Sequence, residues 1–386
     1  MRVLKVIVLV ALSLPTGSAA QQKSENAAVK YLRADLSLRQ TYPLAPDAAV
    51  KLEKALESPL DGEDEKLVAA ADDALVEFNH GTALTRCDWA MSSEDGPFAN
   101  TSHRGAIEEL VAVSGLRARL RFHAGNVHGA ISDALASLTA ARHLSVDGSI
   151  ASVLFANKLE NEIAGVLAQN LEQLSRTQLK ELTISLDGLP MGSSLSNAFE
   201  AEKVRRNDLL PIAEGATTRD ELIEHLLNGI PFLQSNKAVA GEIVDGCGGS
   251  VRGFLNCVNQ QQSFYTSWVA RFGFSPEQFE TEYKAEIEEL SRANPVIRLL
   301  TPNLPRLRWT EAYTQTRRAL LYAAIDVRLD GPRAVNGHLD PYDRSPFSYS
   351  SVDDGFRLVS RLKDQQGIPF SLTIAPGARD GSAGEK

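Results

Sequence analysis

Cysteine is scarce in this sequence: three residues in 386, alongside only three methionines and 6% aromatics. Three cysteines cannot build a disulfide-dense scaffold, and no Cys/His spacing suits structural zinc. Long apolar runs are missing too. The longest, Val6 to Leu14, has about nine residues where a membrane span needs about twenty. Positive charge is in deficit, with 40 Lys+Arg against 49 Asp+Glu and a formal net charge of −9. That balance disfavours a general nucleic-acid binder, whose affinity comes from clustered cations. The one dense basic stretch, Arg117, Arg119 and Arg121, is too short to reverse it. Familiar catalytic signatures are also lacking. There is no HExxH, no phosphate loop and no G-x-S-x-G elbow, and the Gly246–Gly253 run does not fit G-x-G-x-x-G.

The first twenty residues read as an export signal. Arg2 and Lys5 form the basic start, Val6 to Leu14 the apolar centre, and Ser18-Ala19-Ala20 a small-residue cleavage site, placing the cut between Ala20 and Gln21. Removing that segment takes two cations away and leaves 38 against 49, or −11. The expected location is therefore the periplasm or the cell exterior. In such an oxidising compartment Cys247 and Cys257 are the natural disulfide pair, closing a Gly-rich loop. Cys87 is left over and is expected as a buried thiol, since the adjacent Asp88 opposes a reactive thiolate.

What the sequence has in quantity is Leu (49) and Ala (47), about a quarter of the chain and both strong helix formers. Val127, Ile131, Ala134, Leu138 and Ala141 mark one buried stripe on an otherwise polar helix. Ser175-x-x-Gln178 and Thr218-x-x-Glu221 are capping boxes, and Ser275-Pro276 places proline at a first helical position. Gly125, Gly148 and Gly273 punctuate the pattern. The expected fold is mainly all-α: antiparallel helical hairpins, as a bundle or an irregular solenoid, with a small C-terminal β-hairpin. Residues 21–250 form an Ala/Leu-rich region and 251–331 an aromatic-rich one packed on it. The hairpin falls in 332–375 and a disordered tail in 376–386.

Sixteen of the 25 aromatics lie after residue 250. Phe264, Trp268 and Phe272, at four-residue steps, read as core. Beyond Gly331-Pro332, apolar and polar residues alternate around Asp353-Asp354-Gly355, the pattern of a hairpin, with Phe370–Ile374 a candidate extension. Asp340-Pro341-Tyr342, Pro346-Phe347-x-Tyr349 and Asp354-Gly355-Phe356-x-Leu358-x-Ser360 together resemble the C-terminal β segment of type II secretion pseudopilins. The same residues resemble the tail of exported helical proteins of bacteria. The resemblance spans about twenty residues and implies hairpin geometry there. The prepilin signal and single long apolar helix of pseudopilins are not present.

Among the seven histidines, His123 and His128 flank the Gly125-Asn126 turn without a carboxylate beside them. The most suggestive polar cluster is Glu200, Glu202, Arg205 and Arg206, whose three- and four-residue spacings suit ion pairs on one helix face. These readings favour an exported, non-enzymatic binding or scaffold protein that needs no cofactor, its partner a protein or an envelope component. Two alternatives remain open. One is a hydrolase drawing carboxylates from separate helices, Glu200 and Glu202 first. The other is an accessory component of an envelope or secretion assembly.

Overall fold

The structure, a computed structural model, describes residues 25–41, 48–90, 102–206, 209–230, 233–364 and 366–375, with backbone only at 48–50, 102, 202–206 and 209. The expected export signal, with its expected cut between Ala20 and Gln21, and the segment 376–386 expected as a disordered tail lie outside the described residues. Sixteen α-helices are described: α1 Ala27–Thr41, α2 Ala48–Glu57, α3 Gly62–Ala70, α4 Asp72–Thr82, α5 Ser102–His123, α6 Val127–Ser145, α7 Ile150–Gln169 and α8 Arg176–Asp187 come first. Then follow α9 Leu195–Arg206, α10 Leu209–Ala213, α11 Arg219–Gly229, α12 Lys237–Gly246, α13 Val251–Val269, α14 Pro276–Ala293, α15 Pro295–Leu300 and α16 Leu304–Asp330. The strands are β1 Ser348–Val352, β2 Gly355–Lys363 and β3 Pro369–Ile374. The chain is thus mainly helical with a small C-terminal antiparallel sheet. No helix among the described residues is long and apolar enough to cross a membrane.

Helix starts follow the local chemistry. The Ser175 and Thr218 side chains accept the N–H groups of Gln178 and Glu221, which return the bond to the cap backbone. Ser275 caps α14, with Pro276 at its first position. Gly125 turns α5 into α6 at φ 76°, a left-handed conformation that glycine adopts without cost.

Among the described residues, three apolar clusters hold these helices together. The first unites α1 to α8 with the second half of α16 and the sheet, from Tyr31 and Phe78 through Leu110 and Leu144 to Leu321 and Leu358. The second joins α10 to α13 around Leu226, Ile243 and Phe254. The third packs the start of α7 and α9 against α13, α14 and the start of α16 around Phe199, Trp268 and Phe279. The 27-residue α16 runs through two clusters and so ties the sheet to both.

On α6 the expected stripe is buried at Ala134, Leu138 and Ala141, but so is Asp133 on the face read as polar. Arg117 grips Asp133 in two-pronged fashion at 3.1 and 2.7 Å, and Arg121 adds a third contact at 2.7 Å. Arg119 turns the other way and donates to the carbonyls of Ala55 and Ser58. The basic stretch is therefore consumed internally. A bidentate guanidinium pair is what a buried carboxylate requires.

The sheet has the order β1-β2-β3. Val352 pairs Gly355 across the Asp353-Asp354 turn, and β3 adds the third strand through Leu358↔Leu372. Asp354 takes the left-handed conformation at φ 57°, which aspartate tolerates better than most residues. A Cβ on Gly355 would lie 1.9 Å from the Ile374 carbonyl oxygen, so only glycine lets β2 begin beneath the end of β3. Phe356, Leu358, Ser360 and Leu362 alternate inward along β2. The three parts of the tail motif meet physically. Asp340 is buried and accepts from the Ser360 hydroxyl at 2.6 Å, the Arg361 amide at 3.0 Å and the Tyr342 amide at 3.0 Å. Tyr349 stacks on Phe356 at 5.9 Å.

Candidate ligand-binding groove

The N-terminal half of α16 is where aromatic surface meets solvent. Asn303 caps the helix by accepting the Arg306 amide at 3.1 Å, and Pro305 sits in the first turn. From there Arg306, Trp309, Thr310 and Tyr313 recur at three- and four-residue steps and share one face, while Leu307, Arg308 and Glu311 turn inward. Opposite stand Glu280 of α14 and the end of the sheet, where Lys363, Asp364 and Phe370 flank the β2–β3 turn. Together they bound a surface groove of about 740 Å³. Two neighbouring slots hold about 20 Å³ each, room for a water molecule at most.

The groove is paved with rings. Tyr313 and Phe370 lie 4.3 Å apart between centroids, and Trp309 lies 6.5 Å from Tyr342. Trp309, Tyr313 and Phe370 are each only half-buried. The Trp309 indole N–H donates to Glu280 at 3.3 Å, which fixes the ring's polar edge.

The charges divide into engaged and available groups. Glu280 pairs with Lys284 at 2.6 Å, and that contact, helped by Trp309, holds its carboxyl below the usual range. Asp364 accepts the Gln366 and Ile368 amides at 2.9 and 2.8 Å and so organises the β2–β3 turn. Arg306 and Lys363 are exposed and have no acidic partner among the described residues. The groove thus offers a ligand two cations, while its two acids are already satisfied.

The residues singled out in the sequence lie elsewhere. Cys247 and Cys257 are both buried free thiols, so the expected disulfide is not formed. They are in contact as hydrogen-bonded thiols, Cys247 capping α12 and Cys257 one and a half turns into α13, with burial pushing the Cys247 thiol well up. Glu200 is exposed on α9; the side chains of Glu202, Arg205 and Arg206 lie outside the described residues. His123 and His128 are both exposed. No set of His, Cys, Asp and Glu suited to a metal ion occurs among the described residues. Phe264, Trp268 and Phe272 are buried in the third cluster, as their spacing implies.

Cys87 falls in a second polar cluster. Tyr31 is hydrogen-bonded to His143 Nδ1 at 2.8 Å, the Trp89 indole donates to the His143 carbonyl at 2.8 Å, and Trp89 stacks on His103 at 4.6 Å. His103 contacts Asp147 at 3.1 Å, and Ser152 and the Ser149 amide donate to the same carboxylate. Burial would raise Asp147, but these bonds outweigh it and hold the carboxyl below its ordinary range. Burial pushes the Cys87 thiol up to about 12, so it stays protonated and is no nucleophile. Ser152 donates to Asp147 rather than to a histidine, so no nucleophile–base pair forms there. The cluster anchors residues 86–89 to α1, where Asn26 and Asp88 exchange two further hydrogen bonds.

Sequence reading missed Trp309, Tyr313, Arg306, Lys363 and Phe370 as one site. A signal existed: the i, i+4 pair Trp309/Tyr313 is flanked on its own face by Arg306, Thr310 and Arg317 instead of by apolar residues. Its meeting with a turn more than fifty residues downstream has no local trace. Compared with protein-family models, with curated proteins and with solved structures, the chain finds no match in any of the three.

Proposed function

We propose that the protein is an exported binding protein and that the groove between α14, α16 and the β2–β3 turn holds its ligand. The observation that carries this reading is the placement of three half-buried rings, Trp309, Tyr313 and Phe370, along one groove of about 740 Å³. Elsewhere in the same half of the chain Phe264, Trp268, Phe272 and Phe279 are packed away. Exposed aromatic faces converging with a few polar groups in a concave site are the usual form of a small-ligand pocket. Binding is favoured over acid–base hydrolysis by the state of the acids. Glu280 is held ionised by Lys284 and Trp309, which suits it poorly to donate a proton at neutral pH, and Asp364 is bonded to its own turn.

The test is a screen of the full chain against immobilised oligosaccharide and peptide libraries, run in parallel with Trp309→Ala/Tyr313→Ala. Retention of at least one class of compound by the native protein, lost in the double variant, supports the reading. Retention that the double variant keeps unchanged, or no retention at all, refutes it.

A further inference from the structure

Taking the groove as a binding site, we infer that its ligand is an acidic saccharide, a chain of sugar rings bearing carboxylate or sulfate groups. Two independent features of the groove select this class. Trp309 and Tyr313 stand one turn apart on α16, ~5–6 Å between their Cβ atoms, a step suited to successive sugar rings. Their rings offer apolar surface to the apolar side of a pyranose, and Phe370, 4.3 Å from Tyr313 and tilted 44° to it, adds a second wall toward the sheet. Beside the rings, Thr310 spends its hydroxyl proton on the Arg306 carbonyl but keeps an acceptor oxygen, and Asn303 spends its side-chain oxygen on the cap but keeps its NH2. Such side-chain groups complement a ligand rich in hydroxyls.

Charge makes the saccharide an acidic one. Arg306 enters from the α16 side and Lys363 from the end of β2, and neither has an acidic partner among the described residues. Glu280 and Asp364 also line the groove. However, the Glu280 carboxylate is neutralised by Lys284 at 2.6 Å, and Asp364 accepts two backbone amides. Those amides satisfy Asp364 without cancelling its charge, so with Lys284 set against Glu280 the groove keeps two cations against one carboxylate, an excess of one positive charge for a ligand. In a chain of net charge −9 this is a local exception, and an anion would reach it through short-range pairing, since the protein's overall charge repels anions.

The inference is tested by calorimetric titration of the full chain with four probes at low and moderate salt. The probes are an oligogalacturonate, its carboxyl-reduced neutral counterpart, a heparin-derived octasaccharide and a short polyglutamate. The expected result is binding of one or both acidic saccharides, with the neutral oligosaccharide and polyglutamate at least tenfold weaker. Arg306→Gln/Lys363→Gln should cut that affinity by tenfold or more and flatten its salt dependence, with the unfolding temperature unchanged. Trp309→Phe should remove the accompanying fluorescence change. Equal binding of the neutral oligosaccharide overturns the acidic character and leaves the groove reading standing. Equal binding of polyglutamate overturns the saccharide. Binding of none of the four overturns the inference altogether, while the groove reading is then decided separately by the library screen.

Discussion

The indole N–H of Trp309 on α16 donates to the carboxylate of Glu280 on α14 across 3.3 Å, and this bond holds the polar edge of the largest ring in the groove. Glu280→Ala should leave overall stability within about 0.5 kcal/mol, because its pair with Lys284 is a surface ion pair. The same change should loosen the indole and weaken any groove ligand several-fold. An unchanged near-UV circular dichroism spectrum, with unchanged ligand affinity, would contradict this role.

Asp340 is the tether of the C-terminal sheet. It is buried and accepts three hydrogen bonds, from Ser360, Arg361 and Tyr342. Asp340→Ala strands those donors in the interior and should cost about 2–4 kcal/mol. Urea denaturation measures this directly. Ser360→Ala removes only one donor and should cost about 1 kcal/mol.

Burial depresses His143 to about 4, below its ordinary value of 6.5. Between those two values the unfolded chain binds a proton that the folded protein refuses. Stability should therefore fall as pH drops from about 6.5 to 4, by up to about 3 kcal/mol. His143→Gln should flatten that part of the profile, as read from denaturation midpoints at pH 4.5 and 7.

Glu162 has the opposite sign. Burial, with Glu53 and Glu108 nearby and only partly offset by Lys158, pushes its carboxyl up to about 7. Here the folded protein holds a proton that the unfolded chain releases between about 4.5 and 7, so this group's penalty grows as pH rises through that window. Glu162→Gln should then stabilise the protein at pH 8 by about 1–3 kcal/mol and have little effect at pH 4.5. Equal stabilisation at both pH values would show that the charge is not the cause.

All three cysteines are free, Cys247 and Cys257 buried and Cys87 half-buried with its thiol near 12. Iodoacetamide at pH 8 should leave the native protein unmodified over a period in which the denatured protein takes up three labels, by intact mass. Fewer than three labels after denaturation without reductant would reveal a disulfide.

Much of the architecture is legible in the sequence because it is local. Ser175, Thr218 and Ser275 start helices through bonds closed within three residues. The Asp353-Asp354 turn likewise pairs neighbours, and the four-residue step of Phe264, Trp268 and Phe272 marks a core face whichever helix covers it. Asp133 is the counter-example. It sits on what reads as the solvent side of α6, and it is buried because Arg117 and Arg121 arrive from α5 to neutralise it. The pairing expected of Cys247 and Cys257 shows a related limit. Spacing brings two thiols together, but spacing does not state their redox condition.

The sequence by itself determined the helical class, the caps, the C-terminal strands and the excess of negative charge, all properties of neighbouring residues or of composition. Only the tertiary structure decided where those elements leave a gap. The groove exists because α16 is long enough to cross two cores, presenting Trp309 and Tyr313 between α14 on one side and the β2–β3 turn on the other. Which cations stay unpaired is equally non-local. Arg117 is consumed by Asp133, whereas Arg306 and Lys363 meet no acid among the described residues, and that difference depends on which elements pack together.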